Sequence, residues 1–314
     1  MKNRFGFTLI ELIMVIVIMG LIGKFGIEFL AQAYKSFLYT NVNHNLQSKS
    51  EIAVELIAKR LEYRIKDSVI ARTAPGNTPI PIGSASGDSY TVLEWVGMDN
   101  EGFRGTTLPY WSGIIDLDIS NATSLISPDT NTTIENDLIK ILSEDNTSDI
   151  SSSAIYFIGS NSDAVTDYGW DGNITYINAQ RGAMHPITNS ATNITEFLPA
   201  TGTNDFTGVD VYEYYKLAWS AYAIVIEDYN ATGDNTGTLK FYYNYQPWKD
   251  KDNSGSTDQL NDAPNIKSTI IMDKVSTFKF MSIGSIMKIQ VCVKSDILQK
   301  DGGDYSLCKE KTIF

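Results

Sequence analysis

Histidine is almost missing from this 314-residue chain, which holds only His44 and His185. The usual general base and the commonest metal ligand are therefore scarce, and little else supports catalysis. Gly83-Ser84-Ala85-Ser86-Gly87 lacks the nucleophile-elbow pattern because Ala85 stands at its centre, and there is no phosphate-binding loop. Cysteine occurs twice, as Cys292 and Cys308, at a spacing that excludes the paired CxxC signatures of zinc ribbons and redox sites. Positive charge is also short: 25 Lys and Arg stand against 37 Asp and Glu, a formal net charge of -12. Such a balance repels phosphate backbones at long range, so a nucleic-acid partner is not expected and cations are the more natural ones. No internal repeat is visible.

What is present supports folding. Hydrophobic residues make up 43% of the chain, aromatic residues 11% and charged residues 20%, a globular composition despite abundant Asn, Thr, Ser and Gly. The length allows one large domain or two ordinary ones.

The chain opens MKNRFGFTLIELIMVIVIMGLIGKF. Two positive side chains, Lys2 and Arg4, precede Gly6, and an apolar run follows, interrupted by Thr8 and Glu11. A secretory signal peptide would have a longer leader, an uncharged core and a small-x-small cleavage site beyond it. A membrane anchor with the leader held in the cytoplasm fits better, because the run is near spanning length. A plain anchor gives no reason for Glu11, since a carboxylate at mid-bilayer costs roughly 3 kcal/mol on insertion scales. A positive group from a neighbouring subunit would offset that cost. The amino group of Phe7, exposed by a cut after Gly6, is such a group.

The segment Gly6-Phe7-Thr8-Leu9-Ile10-Glu11 resembles the cleavage and methylation signal of type IV pilins and type II secretion pseudopilins. The resemblance implies cutting between Gly6 and Phe7 by a prepilin peptidase, methylation of Phe7, and pairing of Glu11 with a neighbour's N-terminus during filament assembly. It implies other pilin or pseudopilin subunits and an inner-membrane assembly platform as partners. It also implies a single-pass inner-membrane protein with an extracytoplasmic head, later carried into a pilus or periplasmic pseudopilus. Loss of Lys2 and Arg4 would leave 23 basic and 37 acidic side chains, a balance of -14. The size favours a minor subunit.

Leu30, Tyr34, Phe37, Leu38, Val42, Leu46, Ile52, Ala53, Leu56, Leu61, Ile65 and Val69 recur at spacings of three and four, and no proline occurs from 7 to 74. One helix over about 7–72 is expected, about 100 Å long at 1.5 Å per residue. Residues 7–30 would form the membrane or filament-core part, and 31–74 an amphipathic continuation laid on the head. Gly20, Gly23 and Gly26 mark a place where it is expected to loosen. A coiled coil is the alternative for the later stripe, though the stripe wanders off a strict heptad.

After this helix come short β segments, expected at 90–96, 154–159, 211–229, 238–245, 268–272, 275–281 and 285–293. The expected class is therefore α+β: a long N-terminal helix on an antiparallel β-sheet head spanning 75–314, similar to pilins. The last segments resemble the final strands of larger minor pilins and minor pseudopilins. Residues 100–206, rich in Asn, Thr, Ser and Asp, read as an insertion or a decorated loop region. Six Asn-x-Ser/Thr triplets, at Asn121, Asn131, Asn146, Asn173, Asn193 and Asn230, follow from composition, and no modification is assigned to them.

Asp250, Asp252, Ser254 and Asp258 occupy the first, third, fifth and ninth places of a loop with Gly255 sixth, imitating the start of an EF-hand calcium loop. Asn261 stands where the bidentate Glu belongs, with Asp262 next. A calcium ion stiffening this loop and a plain solvated acidic turn are both open readings; calcium in the C-terminal loops of pseudopilins favours the ion. Asp163, Asp167 and Asp171, spaced by four, read as a polar turn. In an exported chain Cys292 and Cys308 read as one disulfide, worth roughly 3 kcal/mol, with two free thiols as the alternative. Tyr212, Tyr214, Tyr215, Trp219, Tyr222 and Tyr229 fit strand packing, or a surface row for a glycan or receptor; in the second case the chain would be a filament-tip adhesin on a pilin helix.

Overall fold

The computed structural model describes residues 8–85, 89–250, 254–295 and 305–314. Helix α1 spans Leu9–Glu62. Its 54 residues reach about 80 Å, and it runs unbroken through Gly20, Gly23 and Gly26, where loosening was expected. It ends ten residues before the expected limit, and local chemistry accounts for this. The buried Arg64 donates from Nη1 to the Leu61 carbonyl at 2.6 Å and from Nη2 to the Ser285 carbonyl at 2.7 Å, closing the last turn and fixing the exit. Ile65 and Val69, which continue the helical spacing, lie beyond this stop around a short 3₁₀ turn at Lys66–Ser68. The Ile65 N–H already bonds the Val96 carbonyl at 2.9 Å.

The chain then forms β1 (Ile70–Arg72), β2 (Ile80–Pro81), β3 (Val92–Gly97), α2 (Asn100–Arg104), β4 (Leu125–Ile126) and α3 (Thr132–Leu142). Next come β5 (Ala154–Phe157), α4 (Ile174–Asn178), β6 (Met184–Asn189), β7 (Glu196–Pro199) and β8 (Tyr215–Ala218). The last elements are β9 (Ser220–Glu227), β10 (Gly237–Tyr245), β11 (Lys267–Ile283), β12 (Ile286–Lys294) and β13 (Ser306–Ile313). Eight strands form one sheet in the order β13-β12-β11-β10-β9-β3-β1-β2, and five form a second in the order β4-β7-β6-β5-β8. All of these pairings are antiparallel. A long helix followed by antiparallel sheets is the expected α+β, pilin-like architecture.

Three cores hold the head together. In the first, Ala53, Val54, Ile57, Ala58 and Leu61 of α1 meet Leu93, Trp95, Ile224, Phe278, Ile289 and Val291 across one face of the large sheet. Val92, Val96, Ala221 and Val225 form the second on the opposite face with Trp170, Tyr245 and Trp248. Both faces of β3 are thus covered, and all six of its residues are buried. The third core, around Trp111, Phe157, Ile187, Phe197, Phe206 and Leu217, lies within the small sheet.

That third core corrects the reading of 100–206 as a decorated loop region. Most of this span, with β8, folds as a second lobe whose large side chains are widely spaced in sequence and meet only in three dimensions. Residues 211–229, expected as one strand segment, divide at Trp219 into β8 of the small sheet and β9 of the large one. Likewise 268–272 and 275–281 are one 17-residue strand, β11, whose register with β10 shifts between Gly237 and Lys240.

Candidate functional site: the exposed helix and its anchorage

Thr8 caps α1. Its N–H and Oγ1–H both donate to Glu11 Oε2 at 3.0 Å, and its Oγ1 accepts the Glu11 N–H at 3.4 Å, a reciprocal capping box. Glu11 therefore has a local role that starts the helix, and its carboxylate is held at the extreme end of it. Gly6 and Phe7 lie outside the described residues.

From Leu9 to Leu30 the large apolar side chains of α1 are exposed, with Leu9 at 78% and Phe29 at 71%. This helix is long and apolar enough to cross a membrane, and its most apolar window buries nothing against the rest of the protein. Lys24 and Glu28 neutralise each other at 3.9 Å, one turn apart. Burial begins only at Val42 and continues through Leu46, Ser50, Ala53, Val54, Ile57, Ala58 and Leu61. One half of α1 is therefore bound to the head and the other projects with its apolar surface uncovered.

Charged contacts fix the bound half. Lys309 and Lys311, alternate residues of β13, reach Glu51 and Glu55, one helical turn apart, at 3.8 and 2.5 Å. The Tyr305 hydroxyl donates to Asn43 Oδ1 at 3.0 Å. Sequence reading missed β13 altogether, although the alternation of Lys309, Lys311 and Ile313 is a legible signal. The pleat turns these side chains toward α1 and sets Cys308 on the opposite side. There it pairs directly with Cys292 of β12, and the two form a disulfide with a Cα–Cα distance of 4.0 Å. The bridge closes the connection between the strands that carry α1.

The 250–262 loop has part of the anticipated geometry. Gly255 adopts φ +82°, as the sixth-place turn requires, and donates its N–H to Asp250 Oδ1 at 2.9 Å. Asp262 Oδ1 accepts the Gln259 N–H at 3.2 Å. Ser254 Oγ lies 3.0 Å from Ser256 Oγ, Asp258 is buried, and Asp252 lies outside the described residues. Among the described residues no three His, Cys, Asp or Glu side chains form a metal-holding group. The loop is docked on the 163–172 turn, where the Thr257 hydroxyl donates to the Gly169 carbonyl at 2.8 Å. Asp163 Oδ1 caps the N–H groups of Val165 and Thr166, a self-contained polar turn.

The aromatic series is divided. Tyr215, Trp219 and Tyr222 are core residues, whereas Tyr212, Tyr214 and Tyr229 are exposed. His44 is exposed on α1, and His185 is buried with Nδ1 3.0 Å from Gln180 Oε1. Burial holds its imidazole down at about 4.

The prokaryotic N-terminal methylation motif matches residues 1–23 of the chain. No curated protein and no solved structure compared with the chain matches it. The motif is followed by an uncovered apolar helix and an antiparallel head. At its N-terminus the chain is thus similar to type IV pilins and pseudopilins, and the motif supports that family. The motif points to a structural subunit and implies processing by a prepilin peptidase and assembly with other pilin subunits.

Proposed function

We propose that the chain is a minor pilin or pseudopilin, cleaved after Gly6 and assembled through the exposed half of α1 into a type IV pilus or type II secretion pseudopilus. The observation that supports this most is the division of α1. An apolar surface from Leu9 to Leu30 with no cover of its own needs either lipid or the same surface of neighbouring subunits. Before assembly the subunit sits in the inner membrane as a single pass, with its N-terminus cytoplasmic and its head outside. An assembly platform there delivers it to the filament.

Glu11 is the residue that sets register. Its Oε2 already takes two bonds from Thr8, so in this proposal the second oxygen meets the amino group of a neighbour's Phe7. Replacing Glu11 by Ala should leave the protein in the membrane and sharply reduce its recovery in sheared filaments. Recovery equal to wild type would remove the assigned role.

The turn at Gly255 supports calcium as a ligand of the 250–262 loop, with Asp250, Asp252, Ser254, Asp258 and Asp262 as oxygen donors and loop stiffening as its effect. Calorimetric titration of the full chain with calcium tests this, with Asp258→Asn as the control. Heat that is unchanged in the variant would refute it. A tip-adhesin role has the exposed Tyr212 and Tyr214 in its favour. Unaltered cell attachment after both are changed to Ser would count against it.

A further inference from the structure

Asp99 and Glu135 are buried against each other at the joint between the two sheets. Asp99 follows β3 of the large sheet and bonds the Leu217 carbonyl of β8 in the small one through its N–H at 2.8 Å. Glu135 lies in the first turn of α3. The two residues are 2% and 0% exposed. Their nearness follows from Gly102 in α2: a Cβ placed there would be 2.1 Å from Asp99 Oδ2 and 2.1 Å from Glu135 Oε2, so the two oxygens lie no more than twice that distance apart. Only a glycine leaves them this space.

The donors around the pair are unequal. Asp99 Oδ2 accepts the Trp111 Nε1–H at 2.8 Å. Among the described residues no N–H or hydroxyl donor reaches either oxygen of Glu135. Two buried carboxylates at this separation repel strongly, and an anion with no donor is costly to bury. One proton on Glu135, donated to Asp99, removes both costs. We propose that Asp99 and Glu135 share one proton as a latch that fastens the small-sheet lobe to the large sheet and loosens when that proton is lost.

The surrounding charges agree with this assignment. Burial raises the Glu135 carboxyl and the neighbouring Asp99 raises it further; burial also raises Asp99, opposed by the Trp111 bond. Glu101 of α2 faces both and adds repulsion, and its own partner is Arg60 of α1 at 3.3 Å. Tyr215 of β8 and Tyr222 of β9 complete the ionisable surroundings, each held protonated by burial. The sign follows. Glu135 holds its proton in the closed latch to a higher pH than in the open one, so closure is strongest in acid and weakens as pH rises above about 5.

The test is hydrogen exchange of the full-length chain in detergent, corrected for intrinsic rates, on wild type and Glu135→Gln. A glutamine amide donates to Asp99 without titrating. Protection across α3 in wild type should fall by about tenfold per pH unit from slightly acid pH through neutral, and should be flat in the variant. Should the variant not fold, the infrared spectrum of wild type at neutral pH decides by itself, through the carbonyl stretch of a protonated carboxyl. A flat wild-type profile, an equal slope in Glu135→Gln, absence of that band, or a divalent ion that co-purifies with wild type would overturn the latch.

Discussion

Arg72 and Glu94 form an ion pair at 2.7 Å inside the head, their side chains 4% and 0% exposed. Glu94 Oε2 also accepts the Tyr245 hydroxyl at 3.0 Å, and Arg72 Nη2 donates to the Trp170 carbonyl at 3.1 Å and to Gln259 Oε1 at 2.8 Å. One guanidinium thereby ties β1 and β3 to the 163–172 turn and the 250–262 loop. Burial pushes the Glu94 carboxyl up, and Arg72 opposes it.

Arg72→Met should cost about 3–5 kcal/mol, because it strands a buried carboxylate and frees two loops at once. Urea unfolding of the chain in detergent measures this. Replacing both partners with apolar residues should cost clearly less than the sum of the single changes, since no lone charge is left inside.

The Cys292–Cys308 bridge has a sequence separation of 16 and closes the connection between the strands that carry α1. Changing both to Ser should lower stability by about 3 kcal/mol on the chain-entropy account. A smaller loss under reducing agent than in the double variant would show that the bridge resists reduction.

His185 gives the head an acid limit. Its imidazole is held at about 4 by burial, below the ordinary value of 6.5, so the fold favours the neutral ring. The stability this group contributes is fully present above pH 6.5 and is lost as pH falls from there through about 4. The full shift corresponds to roughly 3 kcal/mol. The Asp99–Glu135 pair slopes the other way, so the comparison is the difference between wild type and His185→Gln, which should narrow steadily below pH 6.5.

The head should not need the projecting half of α1. Among the described residues before Val42 none is fully buried, and only Leu38 is half-buried. A chain beginning at Phe37 should therefore melt within a degree or two of full length and no longer sediment with membranes, as circular dichroism and fractionation would show.

Local signals were legible in the sequence and distributed ones were not. The N-terminal motif, the helical spacing from Leu30 to Leu61 and the cysteine pair all lie in short stretches whose chemistry states itself. The stop at Arg64 was hidden because Ile65 and Val69 keep a helical interval while standing beyond the helix. The second lobe was hidden by composition: Trp111, Phe157, Phe197 and Phe206 sit among polar residues with no period, and their burial is a tertiary fact. The same applies to Asp99, Gly102 and Glu135, which are unremarkable in a row and significant only once α2 and α3 meet.

The central claim is that this chain is processed and then built into a filament through α1. Its most direct test is intact mass and N-terminal sequencing of the protein in sheared surface filaments and, separately, in membranes. The account predicts a mature chain that starts at N-methylated Phe7 and is present in an assembled filament, whether a sheared pilus or a short pseudopilus recovered by cross-linking. An uncut chain that still begins at Met1 in every fraction would contradict it.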